Sequence, residues 1–288
     1  MDESQLPGSQ GPKRPLATRV LGIRILVGAL LIPVVLAITY AGGLAFSLFV
    51  GLLAGLGAFE FYRMTARSDR HPSSIIGIAG AVAVCMAFQA GEGSLPGLVL
   101  ACLVIVLAIE RTARSSREQY LSSLAVTLLG MVYCGWLLGF FIWLRSFARG
   151  GFEPGRELVY FVLVLTWSYD SVAYLAGSLV GRHRLFPRIS PSKTTEGTLA
   201  GLGGCVAAAL AARATFASFL TVTDALGLGV VIGVAAQAGD LAESMIKRSV
   251  GAKDSSNLIP GHGGFLDRFD SLLFTGPVFY LYARAFLL

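Results

Sequence analysis

The sequence predicts an all-α, polytopic integral membrane protein with about nine transmembrane helices and a cytoplasmic N-terminus. Three observations carry this: a mean hydropathy of +0.70, a series of long apolar stretches, and a lopsided distribution of Lys and Arg. A spanning helix needs roughly 20 mostly apolar residues. Such stretches run over 22–41, 43–62, 74–91, 95–110, 121–144, 158–180, 197–217, 224–246 and 270–287. With the N-terminus inside, the cytoplasmic segments hold seventeen basic residues: Lys13, Arg14, Arg19, Arg63, Arg67, Arg70, Arg111, Arg114, Arg117, Arg182, Arg184, Arg188, Lys193, Lys247, Arg248, Lys253 and Arg268. The opposite side holds five, Arg145, Arg149, Arg156, Arg213 and Arg284, and Arg24 sits within the first stretch. This is the positive-inside pattern. Its weak point is 145–157, where three Arg are only partly offset by Glu153 and Glu157.

Residues 1–18 are rich in Pro, Gly, Ser and Gln and read as a disordered cytoplasmic tail. Residues 19–150 form an N-terminal transmembrane scaffold of five helices, almost free of ionisable groups in their middles. Gly51 and Gly55 allow close helix packing there. Glu60 and Glu110, next to Arg63 and Arg111, read as solvated helix ends. The four cysteines lie in apolar spans without a CxxC pattern and read as packing residues. A pI near 9.3 fits attraction to anionic headgroups, because the basic residues fringe apolar spans; nucleic acid is not an expected partner. Residues 151–288 form a C-terminal catalytic transmembrane domain of four helices, with cytoplasmic loops at 181–196 and 248–268.

The polar content concentrates in that second half. Asp170 falls mid-span, with Tyr174, Gly177 and Gly181 on the same helix face. Ser190, Pro191, Ser192, Lys193, Thr194 and Thr195 gather hydroxyls and an ammonium before a helix start, a plausible setting for phosphate. In the eighth span Asp240, Glu243, Ser244 and Lys247 are spaced i, i+3, i+4 and i+7, so they line one stripe. A Gly-rich loop with Lys253, Asp254 and His262 follows, and the next helix is expected to open with Asp267 and Asp270.

Carboxylates at one level, without Cys or clustered His, favour a hard cation such as Mg²⁺, which binds through one or two carboxylates plus substrate phosphate oxygens. Phosphoryl or nucleotidyl transfer follows, since that chemistry consists mainly of positioning and charge neutralisation. Walker A, HExxH and GxSxG patterns are absent from the sequence.

The run Ser244-Met245-Ile246-Lys247-Arg248, then Lys253-Asp254, then Leu258 through Asp270 resembles the signature of the phosphatidate cytidylyltransferases, the CDP-diacylglycerol synthases. Asp170 to Tyr174, Gly181, and Ser190 to Gly197 resemble a second block of the same family. The first five spans are similar to it only in hydropathy. The resemblance implies a homodimeric membrane enzyme converting CTP and phosphatidate to CDP-diacylglycerol and pyrophosphate. A phosphatidate oxygen would attack the α-phosphorus in line. It implies Asp240 and Asp267 as metal ligands, for two divalent ions or one with a monovalent ion. Asp270, Lys247 and His262 complete the catalytic set. Asp170, Lys193, Ser244, Arg248, Lys253, Asp254 and Arg268 would contact substrates.

Two other functions compete. A lipid or ion transporter would use Asp170 and Asp240 as intramembrane carboxylates, but leaves the 253–268 loop unexplained and has no internal repeat to support it. A cytidylyltransferase acting on another lipid phosphate is the nearer alternative; the acidic motif of CDP-alcohol phosphotransferases is absent. The expected location is the membrane with the site facing the cytoplasm, the inner membrane if the source is bacterial.

Overall fold

A computed structural model describes residues 28, 30–67, 71–114, 116–148, 151–256 and 264–287. The 1–18 tail and His262 lie outside them. Every apolar stretch contains a helix. In chain order these are α1 (Leu30–Ala41), α2 (Gly43–Thr65), α3 (Ser74–Ala87), α4 (Leu95–Arg114) and α5 (Arg117–Gly130). They continue with α6 (Leu137–Arg145), α7 (Gly155–Val180), α8 (Thr195–Thr215), α9 (Val222–Ser249) and α10 (Asp270–Phe286). A π-helical turn, Met131–Trp136, joins α5 and α6 into one 29-residue span. Six of these segments are long and apolar enough to cross a membrane: α2, α4, α5–α6, α7, α8 and α9. The others are shorter. α10, with 17 residues, reaches ~25 Å at about 1.5 Å per residue, near the lower limit for a span.

Close backbone approach sets the packing of the second half. A Cβ at Gly197 would lie 2.7 Å from the Ala173 carbonyl oxygen, and one at Gly204 would lie 2.7 Å from Val172 Cγ2. α7 and α8 therefore meet along a glycine seam. In the first half, a Cβ at Gly51 would come 2.9 Å from Met86 Sδ, so the Gly51/Gly55 face of α2 packs on α3. At Gly42 the chain turns between α1 and α2 with φ 63°, a left-handed conformation that favours glycine.

Two features differ from the sequence expectation. The 181–196 loop contains a two-stranded antiparallel hairpin, β1 (Arg184–Phe186) and β2 (Ser190–Thr194), so the fold is helical with one small sheet. Asp267 precedes the last helix, on a 3₁₀ turn, Leu266–Arg268, because Phe269 adopts φ −131° and interrupts the helical path before Asp270.

The arginines that run against the charge bias are locally engaged. Arg145 donates to the carbonyls of Thr39 (2.6 Å) and Tyr40 (3.1 Å) at the end of α1. Arg156 pairs with Glu157 at 2.6 Å and lies over the Tyr40 ring. Arg213 donates to Leu220 O at 3.0 Å, and Arg284 pairs with Glu92 at 3.0 Å. Arg149 lies outside the described residues.

Overpacking the α7–α8 seam should be costly. Gly197→Val is expected to destabilise the protein by about 1–3 kcal/mol, read as a lower melting temperature of the detergent-solubilised protein, whereas Gly203→Ala, with open space around it, should melt like the parent.

Candidate active site between the two halves

The stripe predicted on α9 exists and is given partners by two neighbouring elements. A Cβ at Gly239 would lie 2.6 Å from the Asp270 carbonyl oxygen. The absence of a side chain there lets α9 touch the start of α10, which brings Asp240 beside Asp270. Asp170 arrives from α7, where it accepts a 3.5 Å hydrogen bond from Ser271 Oγ. Asp240 and Asp170 both act electrostatically on Asp270. Lys193, on β2, forms an ion pair with Asp240. The next residue, Thr194, caps α8 by accepting from Gly197 N at 3.1 Å, so that hydroxyl is already used. Glu196 accepts from the amides of Arg182 (3.1 Å) and His183 (3.2 Å) and fixes the base of the hairpin.

Two turns further along α9, Lys247 bridges Glu243 and Asp267, the latter at 2.7 Å. The second oxygen of Asp267 accepts from Ser255 N (3.2 Å), Ser255 Oγ (3.0 Å) and Gly264 N (2.8 Å). Burial opposes its charge, but the Glu243 carboxyl, the Lys247 ammonium and the Gly264 amide outweigh that and hold it at about 2. Asp267 is therefore ionised throughout the physiological range.

The remaining predicted residues divide. Ser244 donates to Asp240 at 3.5 Å and belongs to the cluster. Arg248 is exposed and reaches the carbonyls of Ile189 and Ala252, both at 3.4 Å, tying the hairpin to the end of α9. Lys253 and Asp254 lie apart from the acids, in a cleft with Arg63 and Arg67. Arg268 lines an apolar cavity together with Asp170. Tyr174 is 73% exposed and takes no part, despite sharing a predicted face with Asp170.

Glu60 is the residue whose role the sequence concealed. It is fully buried, not a solvated end. Its Oε1 accepts from Ser256 Oγ (2.5 Å) and Phe265 N (2.8 Å), and its Oε2 from Ser255 Oγ (3.0 Å) and Leu266 N (2.8 Å). The α2 carboxylate thus fastens both ends of the segment between α9 and α10. The available signal was its setting, Phe59-Glu60-Phe61-Tyr62. A charge between aromatic residues in an apolar helix is costly enough to imply a specific partner.

These residues suit a hard cation. Among the described residues, five acidic side chains (Asp170, Asp240, Glu243, Asp267, Asp270) gather about two ammonium groups, those of Lys193 and Lys247. Among the described residues two buried groups nearby also lack hydrogen-bond partners, Tyr133 OH and Gln237 Nε2, the latter one turn before Asp240 and, as a donor, suited to a substrate oxygen, not to the cation. Among the described residues no three acidic, His or Cys side chains converge closely enough to enclose a metal alone. A few protein oxygens completed by substrate oxygens is how Mg²⁺ is commonly held.

Beside the acids opens a cavity of about 400 Å³, whose walls are apolar side chains such as Val35, Phe46, Leu163 and Leu272, with Asp170, Ser171 and Arg268 at its polar end. The lining comes from α1, α2, α6 and α7, with Phe265, Arg268, Phe269 and Leu272 from the start of the last helix and the turn before it.

Residues 22–286 match the model of the Cytidylyltransferase family. The chain belongs to this family. A phosphatidate cytidylyltransferase of Staphylococcus aureus strain COL is 31% identical over 261 residues, 89% of this chain and 96% of the relative. One from Bacillus subtilis strain 168 is 30% identical over 272 residues, 91% of this chain and 97% of the relative. The protein YnbB of Escherichia coli K12 is 40% identical over 158 residues, a match spanning 53% of each chain. The cytidylyltransferase match extends through the first five spans, which resemble the family only in hydropathy when judged by motif. That extent agrees with a buried α2 residue holding the segment before α10.

Replacing Glu60 with Ala would remove the acceptor of two buried amides, Phe265 N and Leu266 N, and one acceptor each from Ser255 and Ser256, of which Ser255 keeps Asp267. The expected cost is on the order of 3 kcal/mol, read as a lower melting temperature, together with faster proteolysis between Ser249 and Asp270.

Proposed function

We propose that this protein is a phosphatidate cytidylyltransferase, converting CTP and phosphatidate to CDP-diacylglycerol and pyrophosphate. One observation carries the reading: an acidic cluster holding two lysines stands at the polar end of an apolar cavity. Such a site can take a phosphate at its wet end and acyl chains at its dry end. Family membership and the phosphatidate cytidylyltransferase activity of the two relatives matched over most of their length support it.

In this reading Asp240 and Asp267 would hold Mg²⁺, with Asp270 and Asp170 adding negative charge close by. The bound ion would neutralise the phosphate chain. Lys193 and Lys247 would exchange their aspartates for phosphate oxygens and so draw two anionic reactants together. A phosphatidate oxygen forms the new bond to the α-phosphorus, the bond between that phosphorus and the bridging oxygen breaks, and pyrophosphate departs. The phosphate monoester is already anionic near neutral pH, so no side chain has to act as a strong base. Asp170 and Arg268 would orient the lipid phosphate over the cavity, and Ser244 would steady Asp240. Nine membrane crossings, an N-terminus and site facing the cytoplasm, an inner-membrane location and a homodimer belong to the same proposal. The bias of basic residues supports the orientation.

Purified protein in detergent with Mg²⁺, labelled CTP and phosphatidate should release pyrophosphate and yield a CDP-lipid. Absence of both, or product only from a different lipid phosphate, would overturn the assignment. Asp240→Asn and Asp267→Asn should each lower kcat by about a hundredfold or more, as expected when charge-stabilising groups are removed. Chelation with EDTA should abolish turnover, and added Mg²⁺ should restore it.

A further inference from the structure

A second cavity, about 430 Å³ in volume, opens between the end of α2 and the residues that follow α9. Arg63, Arg67, Lys253, Asp254, Ser256 and the Gly251 backbone line it. Three cations thus face one cleft against a single carboxylate. Arg63, Arg67 and Lys253 are exposed, and none forms an ion pair with another described side chain. The positive-inside rule accounts for basic residues near a helix end. It does not require two residues at i, i+4 spacing, which lie on one side of the chain path, to face a third cation across a cavity.

The position of the cleft restricts its ligand. Ser256 lines it and donates to Glu60; the adjacent Ser255 lies 3.0 Å from both Glu60 and Asp267 and shares its one hydroxyl proton between them. The cleft and the acidic cluster therefore flank the same two serines. A chain of phosphates bound in the cleft would have one end directed at Asp267, Asp240 and the two lysines. Two arginines and a lysine suit several phosphate oxygens at once, and Asp254 tolerates a cation carried with the phosphates.

We propose that Arg63, Arg67 and Lys253 form a polyphosphate-binding cleft that holds the phosphate chain of the nucleotide and then the departing pyrophosphate. This rests on the proposed cytidylyltransferase activity and adds to it a contribution from the N-terminal half. The same phosphate chemistry could be supplied by a lipid headgroup, and the two sources predict different kinetics.

The test compares full-length parent protein with the double variant Arg63→Gln/Arg67→Gln in detergent micelles, varying CTP and the mole fraction of phosphatidate separately. Loss of charge-assisted contacts should raise KM for CTP about tenfold. KM for phosphatidate should stay within about twofold, and inhibition by added pyrophosphate should weaken by the same factor as CTP binding. An unchanged KM for CTP overturns the proposal, and a rise confined to phosphatidate overturns it in favour of a lipid headgroup. Calorimetric titration with Mg²⁺-pyrophosphate does not depend on turnover: the parent should bind it and the variant about tenfold more weakly, and equal binding overturns the proposal. If the parent makes no CDP-lipid, the functional reading fails while this titration still decides the cleft. Both arginines are exposed, so the variant should melt with the parent.

Discussion

A single buried carboxylate, Glu60, holds the two halves of the site together. Its four hydrogen bonds reach residues nearly two hundred positions away in sequence, at 255–256 and 265–266. A charge without access to water is tolerated only when donors replace its hydration. Here the donors are two backbone amides and two hydroxyls, which leaves α2 and the segment before α10 no independent positions. Asp267 shares Ser255 with Glu60, so the placement of an acid in the C-terminal half is linked to a helix of the N-terminal half.

Around that anchor, negative charge is assembled at a density that would be unstable without counter-ions. Gly239 removes the side chain that would keep α9 from α10, and the backbones come close enough for Asp240 and Asp270 to feel each other. Lys193 and Lys247 answer part of that charge, each from a different direction. The remaining imbalance makes the cluster receptive to cations while its lysines are receptive to anions. A reaction between two phosphate compounds needs both properties in one place.

Much of this was legible in the sequence, for definable reasons. Helix periodicity placed Asp240, Ser244 and Lys247 on one stripe correctly because α9 is regular throughout. It failed at Asp267, where a 3₁₀ turn stands in for the first turn of α10, and at Tyr174, where sharing a face with Asp170 did not mean facing the site. The hairpin at 184–194 was hidden because its strands are short, one of them contains Pro191, and Glu196 secures it through backbone amides. Glu60 was hidden because a carboxylate one turn before a basic helix end reads as solvated there, and that reading outweighed the signal of its aromatic neighbours. Arg145 and Arg156 looked like violations of topology until their local acceptors were visible.

The apolar cavity has a mouth as well as walls. Leu31 and Ile32 of α1 line it and are 38% and 43% exposed, so it opens at the surface beside α1, which in the proposed membrane placement would be the side of the lipid tails. A molecule entering there never leaves the bilayer, and its supply is a surface density. In the proposed orientation the basic cleft would open toward the aqueous phase, where supply is a volume concentration. The two substrates of the proposed reaction would therefore be sampled in different dimensions. Diluting the membrane with inert lipid would starve one entrance without touching the other.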